Sequence, residues 1–188
     1  MENPTTNECW MDRNLGASQQ ATAYNDSNAY GDLFQWGRLD DEHQTRTSGL
    51  TNTRSSTDVP GHSNFIYYDS SPYDWRNPQN ANLWQPATNT NNPCPEGWRV
   101  PTETEWEAER ATWSSNNMAG AYASPLKLTV AGYRFYSDGS LNNVGTYGVY
   151  WSSTSVNTDS RHLYFYSTDA SMGSHRRANG FSIRCLKD

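Results

Sequence analysis

Alternation of apolar and polar residues is clearest in the last third of the chain, where it predicts several short strands. The segment "RHLYFYS" places Leu163 and Phe165 on one face and His162, Tyr164 and Tyr166 on the other, exposed face. The segments "LKLTVAGYRFY" and "GVYWSSTS" are rich in β-branched and aromatic residues, which favour strands. In "GFSIRCLKD", alternation places Phe181, Ile183 and Cys185 on one face. A shorter alternation, "CWMDRNLGA", predicts another strand near the start of the chain.

A capping box predicts one helix in the middle of the chain. In "CPEGWRVPTETEWEAER", Thr102 stands at the N-cap and Glu105 follows three residues later, a pairing that satisfies two backbone N–H groups. Acidic residues fill the first turn, where the helix dipole favours negative charge. We expect a helix over residues 103–113, with Trp106 and Trp113 on its buried face.

Residues 39–92 show no periodicity and predict a long irregular insertion. The segment is rich in Ser, Thr, Asn, Asp and Pro. Loops of this length are usually functional or need packing of their own. We expect aromatic residues such as those of "FIYYDSSPYDW" to hold it against the body of one domain that spans residues 1–188.

The aromatic content predicts a folded domain, although the overall polarity alone would predict disorder. Only 34% of the residues are hydrophobic and the mean hydropathy is -0.94, yet the chain has 8 Trp and 12 Tyr. A chain this polar without aromatics would be disordered. We therefore expect a folded, loop-rich domain with its tryptophans in the core. An exposed tryptophan that stacks on a sugar is the less favoured interpretation, and only Trp75 or Trp84 in the insertion could supply it. The tryptophans expected in the core are Trp10, Trp36, Trp98, Trp106 and Trp151.

Charge and motif content argue against several function classes. The net charge is -6, with no block of like charges, so nucleic-acid binding is not expected. No segment has the length and apolarity to span a bilayer. No G-x-S-x-G motif or Cys/His cluster indicates catalysis or zinc, and Asp138-Gly139-Ser140 is interpreted as a turn rather than a calcium loop. We expect no catalysis, no metal and no cofactor.

Three motifs together, "CPEGWRVPTETEW", "GVYWSS" and "GFSIRC", resemble the Fibrobacter succinogenes major paralogous domain family, over about residues 9–188. The resemblance implies an α+β, C-type-lectin-like fold: a small twisted antiparallel sheet, one or two helices, paired terminal strands and long irregular loops. Members resemble exported bacterial proteins. We therefore expect an extracellular or cell-surface location, with any signal or anchor outside this sequence.

Some members are similar to the variable proteins of diversity-generating retroelements, in which Asn codons of a template are mutated at adenine while the scaffold stays fixed. This implies a variable region at about residues 133–188. Varying both adenines of an Asn codon never yields Lys, Glu, Gln, Met or Trp, and over residues 155–176 only Met172, a proposed frame residue, belongs to that set. The candidate ligand-binding positions are Phe135, Tyr147, Val149, His162, Tyr164, Tyr166, Asp169, Ser171, Gly173, Ser174, His175 and Arg176.

Each group of candidates also has an ordinary structural interpretation. The aromatic candidates either contact a ligand, as tyrosines do in antibody loops, or form cross-strand aromatic pairs on a half-exposed sheet. Residues 173–176 either form a loop that meets polar groups of a partner or a solvated turn. Arg177, in the fixed frame, is expected to make a structural hydrogen bond or ion pair.

The three cysteines leave more than one pairing open. Similar lectin-like domains often carry a bridge that would correspond here to Cys94 and Cys185. Cys9 is the competing partner, because the first and last strands pair in this fold, and all three thiols could also be reduced.

The function that the resemblance implies is a surface receptor or adhesin module with a diversified binding face. Its partner would be a protein or glycan ligand on another cell or host surface. The alternative is a non-varying structural or pilus-associated surface module of the same family. An enzyme of the formylglycine-generating type is less favoured, because its paired cysteines have no match at a short spacing here.

Overall fold

Most of the backbone lies outside regular secondary structure in a computed structural model that describes residues 1–188. Of 81 backbone–backbone hydrogen bonds, 51 lie in turns, loops and caps. The protein is α+β, with few helices and several small, mainly antiparallel sheets. The helices are a 3-10 helix at Ser27–Ala29, α1 at Glu103–Ala111 and α2 at Met118–Ala123. The strands are β1 (Phe34–Gln35), β2 (Leu50–Thr51), β3 (Phe65–Ile66), β4 (Trp98–Arg99), β5 (Tyr133–Arg134), β6 (Leu141–Asn142), β7 (Gly148–Val156), β8 (Asp159–Phe165), β9 (Ala170–Arg176), β10 (Gly180–Phe181) and β11 (Leu186–Lys187).

The longest strands form an antiparallel sheet in the order β7-β8-β9. Val149 pairs with Tyr164, which pairs with Ser171, and the register of β7 shifts between Trp151 and Ser155. A second antiparallel sheet has the order β1-β10-β5-β6, β4 pairs with β11, and β2 pairs with β3 in parallel. The strands predicted from "GVYWSSTS" and "RHLYFYS" are confirmed.

The predicted capping box opens α1. Thr102 accepts a hydrogen bond from the Glu105 backbone N–H, and the Glu105 carboxylate accepts one from the Thr102 backbone N–H. Arg99 also pairs with Glu105, at 2.6 Å. The helix ends at Ala111, two residues before its predicted end. The sequence "SSNNMAG" also starts α2, because the Asn117 side chain caps it by accepting from two backbone N–H groups.

The two faces of the β7-β8-β9 sheet meet different parts of the core. Leu163 and Phe165, both fully buried, pack in one cluster with Trp106 of α1 and with Tyr150. On the opposite face, Trp151 joins a second cluster that contains Phe181, Trp36 and the disulfide bond between Cys94 and Cys185. The Cys94–Cys185 pairing is thus the one present, and Cys9 is a free thiol.

Three predicted strands are much shorter than their alternation indicated. "CWMDRNLGA" forms only single-residue bridges, at Cys9 and Trp10, and "LKLTVAGYRFY" contributes only β5. "GFSIRCLKD" forms two separate two-residue strands, β10 and β11, instead of one continuous strand. The physical reason is that their backbone groups bond to loops instead of a continuous partner strand: the Val130 N–H, for example, donates to the Tyr24 carbonyl. Conversely, residues 173–176, predicted as a loop or turn, pair with β8 as part of β9.

The insertion is held to the body by its tryptophans. Trp75 and Trp84 are only 1% and 2% exposed, so the less favoured interpretation of one of them as an exposed sugar-stacking tryptophan is wrong. The Trp75 indole N–H donates to the Trp36 carbonyl at 2.7 Å, and the Trp84 indole N–H donates to the Arg38 carbonyl at 3.2 Å. Of the tryptophans expected in the core, Trp98 is half-buried and the others are fully buried.

Candidate functional site

A cleft of about 240 Å³ opens on the face of the β7-β8-β9 sheet that is turned away from α1. Tyr133 comes from β5, and Asn143 and Tyr147 come from the chain between β6 and β7. The other lining residues come from β7, β8, β9 and β10. The two sheets therefore bring together residues that lie nearly fifty positions apart. The lining residues are Tyr133, Asn143, Tyr147, Val149, His162, His175 and Phe181.

Eight candidate positions lie in or beside this cleft. Tyr147, Val149, His162 and His175 line it. Tyr164 and Tyr166 stack on Tyr147, Gly173 is the cross-strand partner of His162, and Ser171 is the cross-strand partner of Tyr164.

The other four candidates lie at or beyond the border of the cleft. Phe135 packs on Tyr136, with ring centroids 4.5 Å apart, and the Arg176 guanidinium stacks over that same ring at 4.5 Å. Asp169 lies in the β8–β9 turn, where its carboxylate accepts a hydrogen bond from Asn116 at 3.3 Å. Ser174 is placed by strand alternation on the opposite face of the sheet from His175.

Two candidates are more buried than the alternation of "RHLYFYS" indicated. His162 is only 6% exposed and Val149 only 2%. His162 was predicted on an exposed face, but Phe181 of the neighbouring sheet lies 5.2 Å from its ring and Trp151 lies 6.0 Å away. Alternation within one strand cannot reveal this cover, because Trp151 comes from the neighbouring strand β7 and Phe181 from another sheet.

Three tyrosines form a stack along one wall of the cleft. The Tyr147 ring is nearly parallel to the rings of Tyr164 and Tyr166, with centroid distances of 5.9 and 5.4 Å. Burial and the neighbouring phenols raise the pKa of Tyr147 to about 12, so its hydroxyl stays protonated at neutral pH. Tyr164 and Tyr166 are half-exposed. They therefore pair across strands and also remain within reach of a ligand.

His175 has a defined tautomer. Its Nδ1 accepts hydrogen bonds from the Arg176 backbone N–H at 3.0 Å and from Asn179 Nδ2 at 2.9 Å. The orientation of the Asn179 amide is set in turn, because its Oδ1 accepts from the Tyr136 backbone N–H and its Nδ2 also donates to the Arg176 carbonyl. The neutral ring proton of His175 is therefore on Nε2, which makes Nε2 a hydrogen-bond donor.

His162 is a buried polar side chain without a partner in the protein. Its Nδ1 is shielded from solvent and forms no hydrogen bond. Burial, followed by the nearby charges of His175 and Arg161, lowers the pKa of His162 to about 3. Burial also lowers the pKa of His175. Both rings are therefore neutral at neutral pH, and no carboxylate, ammonium or guanidinium group lines the cleft.

Tyr133, Asn143 and Phe181 line the cleft but were not among the candidates. Tyr133 and Phe181 pack edge to face at 5.9 Å across the second sheet. Each lay in a predicted strand, yet nothing local indicates that these strands come together. Asn143 sits in a turn with a positive φ of 53°, a conformation that asparagine tolerates, and no signal in the sequence points to a ligand there.

A histidine–carboxylate pair elsewhere in the protein is structural. His43 Nδ1 lies 2.5 Å from Asp41, which also pairs with Arg38 at 2.7 Å. The His43 Nε2 accepts a hydrogen bond from the Gln35 backbone N–H, and the ring is fully buried. Because the lone pair is occupied and no substrate can reach it, this pair cannot act as a general base. No group of three or more His, Cys, Asp or Glu side chains is placed to hold a metal ion.

Fold and cleft together define a small α+β protein with an uncharged, aromatic-walled cleft beside a tyrosine stack. Comparison with protein-family models, with curated proteins and with solved structures gives no match. None of the helices is long and apolar enough to cross a membrane.

Proposed function

We propose that this protein is a ligand-binding module of a bacterial cell surface, with a C-type-lectin-like fold and a binding face made of the cleft and the tyrosine stack. One observation carries the proposal: positions singled out from the sequence as candidates for ligand contact converge on one cleft. Tyr147, Val149, His162 and His175 line it, and Tyr164 and Tyr166 extend its wall.

The chemistry of this face suits recognition rather than catalysis. Tyrosine offers a large rigid contact area at low entropic cost and keeps a polar tip, as in antibody loops. The half-exposed residues around the cleft add small polar groups, such as Ser171 of β9. The two cleft histidines are neutral and have no carboxylate beside them, so neither is activated as an acid–base catalyst.

Two further features support an exported protein of this fold class. The Cys94–Cys185 disulfide is typical of oxidising compartments such as the cell exterior. The terminal segments pair, through Trp10 with Leu186 and the Lys187 N–H with the Cys9 carbonyl, as the C-type-lectin-like fold requires.

We also propose that the binding face is diversified by a retroelement. Leu163, Phe165 and Ala170 are fully buried against α1 and serve as frame, whereas Tyr164, Tyr166 and Ser171 are accessible on the opposite face. The test is to look beside the gene for a reverse transcriptase and for a near-copy of its 3′ end that differs at template adenines. If both are missing, the protein is a non-varying surface module.

The binding face is tested by replacing Tyr164 and Tyr166 together with alanine. Candidate ligands are first found by screening arrays of surface proteins and glycans with the intact protein. The double variant should stay folded and bind the ligand at least about tenfold more weakly, because central aromatic side chains dominate interface energies. Tyr24→Ala, at an exposed tyrosine outside the cleft lining, is the matched control and should bind normally. Unchanged affinity, or unfolding of the double variant, would contradict the assignment.

A further inference from the structure

We propose that the cleft receives one phenol ring, the side chain of a tyrosine on a protein ligand, with the phenol oxygen hydrogen-bonded to His175. This inference rests on the proposed binding function and names the chemical class of its partner. It is carried by the size of the cleft, its ring-bearing walls and the oriented Nε2–H donor of His175.

The walls suit an aromatic guest. Five of the seven lining side chains carry rings, and Phe181 meets the rings of Tyr133 and His162 at 82° and 61°. Aromatic rings prefer offset or edge-to-face neighbours, and rings set at these angles offer both faces and edges to a guest. An apolar cavity of about 150 Å³ admits benzene. A cleft of about 240 Å³ therefore has room for a phenol ring and part of its linking chain.

The polar groups of the cleft suit a hydroxyl. His175 presents a fixed Nε2–H donor, because its Nδ1 already accepts two hydrogen bonds. The hydrogen bond is assigned to His175 and not to His162, because the Nδ1 of His162 is shielded from solvent. A phenol hydroxyl both donates and accepts, so it can bond to a neutral imidazole in either role. A charged guest would find no counter-charge among the lining residues.

A sugar ring is a poorer match. A pyranose carries hydroxyls around its whole edge, and each buried hydroxyl needs a partner. Besides two tyrosine hydroxyls and two imidazoles, the lining offers one amide, Asn143, and no carboxylate that could accept from two neighbouring sugar hydroxyls at once. The side chain of a tyrosine on a protein ligand has only one hydroxyl, and a hydrogen bond with His175 gives that hydroxyl a partner.

The test titrates the nitrogen-15-labelled protein with p-cresol, toluene and methyl α-D-mannopyranoside and follows the imidazole signals of His162 and His175 by NMR. We expect p-cresol to bind with a dissociation constant of about 1 mM, the range for a fragment of this size. Toluene, which lacks the hydroxyl, should bind about three- to tenfold more weakly, as expected for the loss of one hydrogen bond. The sugar should leave both signals unchanged. The imidazoles of His43 and His62, outside the cleft, are internal controls.

The variant His175→Phe keeps a ring in the wall but removes the donor. It should bind toluene and p-cresol equally well. A fold check by the unchanged amide spectrum of β7 and β8 separates a local effect from unfolding. The proposal is overturned if p-cresol fails to shift His162 and His175 at about 20 mM, which lies far above the expected dissociation constant. It is also overturned if the sugar binds more tightly than p-cresol.

These outcomes separate this inference from the proposed function. If p-cresol does not bind but the Tyr164 and Tyr166 double variant still loses affinity for its ligand, the binding face stands and the tyrosine anchor is wrong. If p-cresol binds the cleft but the double variant keeps full affinity, the anchor site stands and the proposed face is wrong.

Discussion

Removal of the Cys94–Cys185 disulfide is expected to lower the stability of the protein by about 4.6 kcal/mol. The bond joins cysteines that are 91 residues apart in sequence. In the chain-entropy description, cross-linking removes loop-closure entropy from the unfolded chain by about 2.1 + 1.5R ln n, which is about 15 cal/mol/K for this separation. The loss is large because the bond closes nearly half of the chain into one loop.

The assay is urea unfolding of the oxidised protein and of the C94A/C185A variant. Alanine is the appropriate replacement, because both sulfur atoms lie in the apolar cluster and a serine hydroxyl would be buried there. At about 2–4 °C per kcal/mol for a chain of this size, the melting temperature should fall by roughly 9–18 °C. The matched control is C9A, which removes a free thiol and should change stability by less than about 0.5 kcal/mol.

The refuting result is a small loss. If the free energy of unfolding of C94A/C185A is less than about 1 kcal/mol below that of C9A, the disulfide does not act through the entropy of a long loop. The reduced chain would then keep the two segments together by packing alone.

Two further perturbations probe the cleft itself. The pKa of His162 falls from 6.5 in the unfolded chain to about 3 in the folded protein, so the unfolded state binds more protons between these values. The contribution of His162 to stability is then full above pH 6.5 and falls as the pH drops, by about 2–3 kcal/mol between pH 6.5 and 4.5. His162→Phe should remove this part of the slope in urea unfolding at a series of pH values. The buried His43, whose pKa is lowered to about 4, keeps its own share of the slope, and an unchanged slope would contradict the assigned burial of His162. A Cβ atom at Gly173 would lie 3.0 Å from His162 Cε1 and 3.1 Å from Nε2, so Gly173→Leu should cost about 1–3 kcal/mol. His162→Ala should relieve most of that cost, and a double-mutant cycle that gives additive effects would rule out the contact.

Local sequence patterns predicted the helix and strands whose formation depends on residues close together in the sequence. Period-2 alternation located β8, since successive side chains of a strand point to opposite faces, and the β-branched and aromatic residues of "GVYWSSTS" located β7. The capping box located α1, because Thr102 and Glu105 satisfy each other's backbone N–H groups within one turn.

The cleft depends on contacts between distant segments, which local patterns do not encode. His162 was predicted to be exposed because its own strand alternates, but the cover comes from Phe181 and Trp151. Residues 173–176 were predicted as a loop because they are polar and include glycine and histidine. They form part of β9 because β8 supplies a complete set of backbone partners.

Tyr133, Asn143 and Phe181 show the same limit at the site. Tyr133 and Phe181 come together because β10 pairs with β5, a pairing across more than forty residues. Alternation assigns a side chain to a face of its own strand, but it does not specify which strand lies beside it. The candidate residues therefore include the lining residues of β7, β8 and β9, but not Tyr133 of β5 or Phe181 of β10.

The most direct test of the central claim, a fixed frame that carries a changing binding face, is deep sequencing of this gene across a population of the source cells. The account predicts that differences concentrate at the twelve candidate positions and at codons that derive from Asn codons of a template. Leu163, Phe165, Ala170 and Arg177 should remain constant, and positions 162 and 173 should not both carry large residues. Differences spread evenly over the surface, or an invariant face, would contradict it.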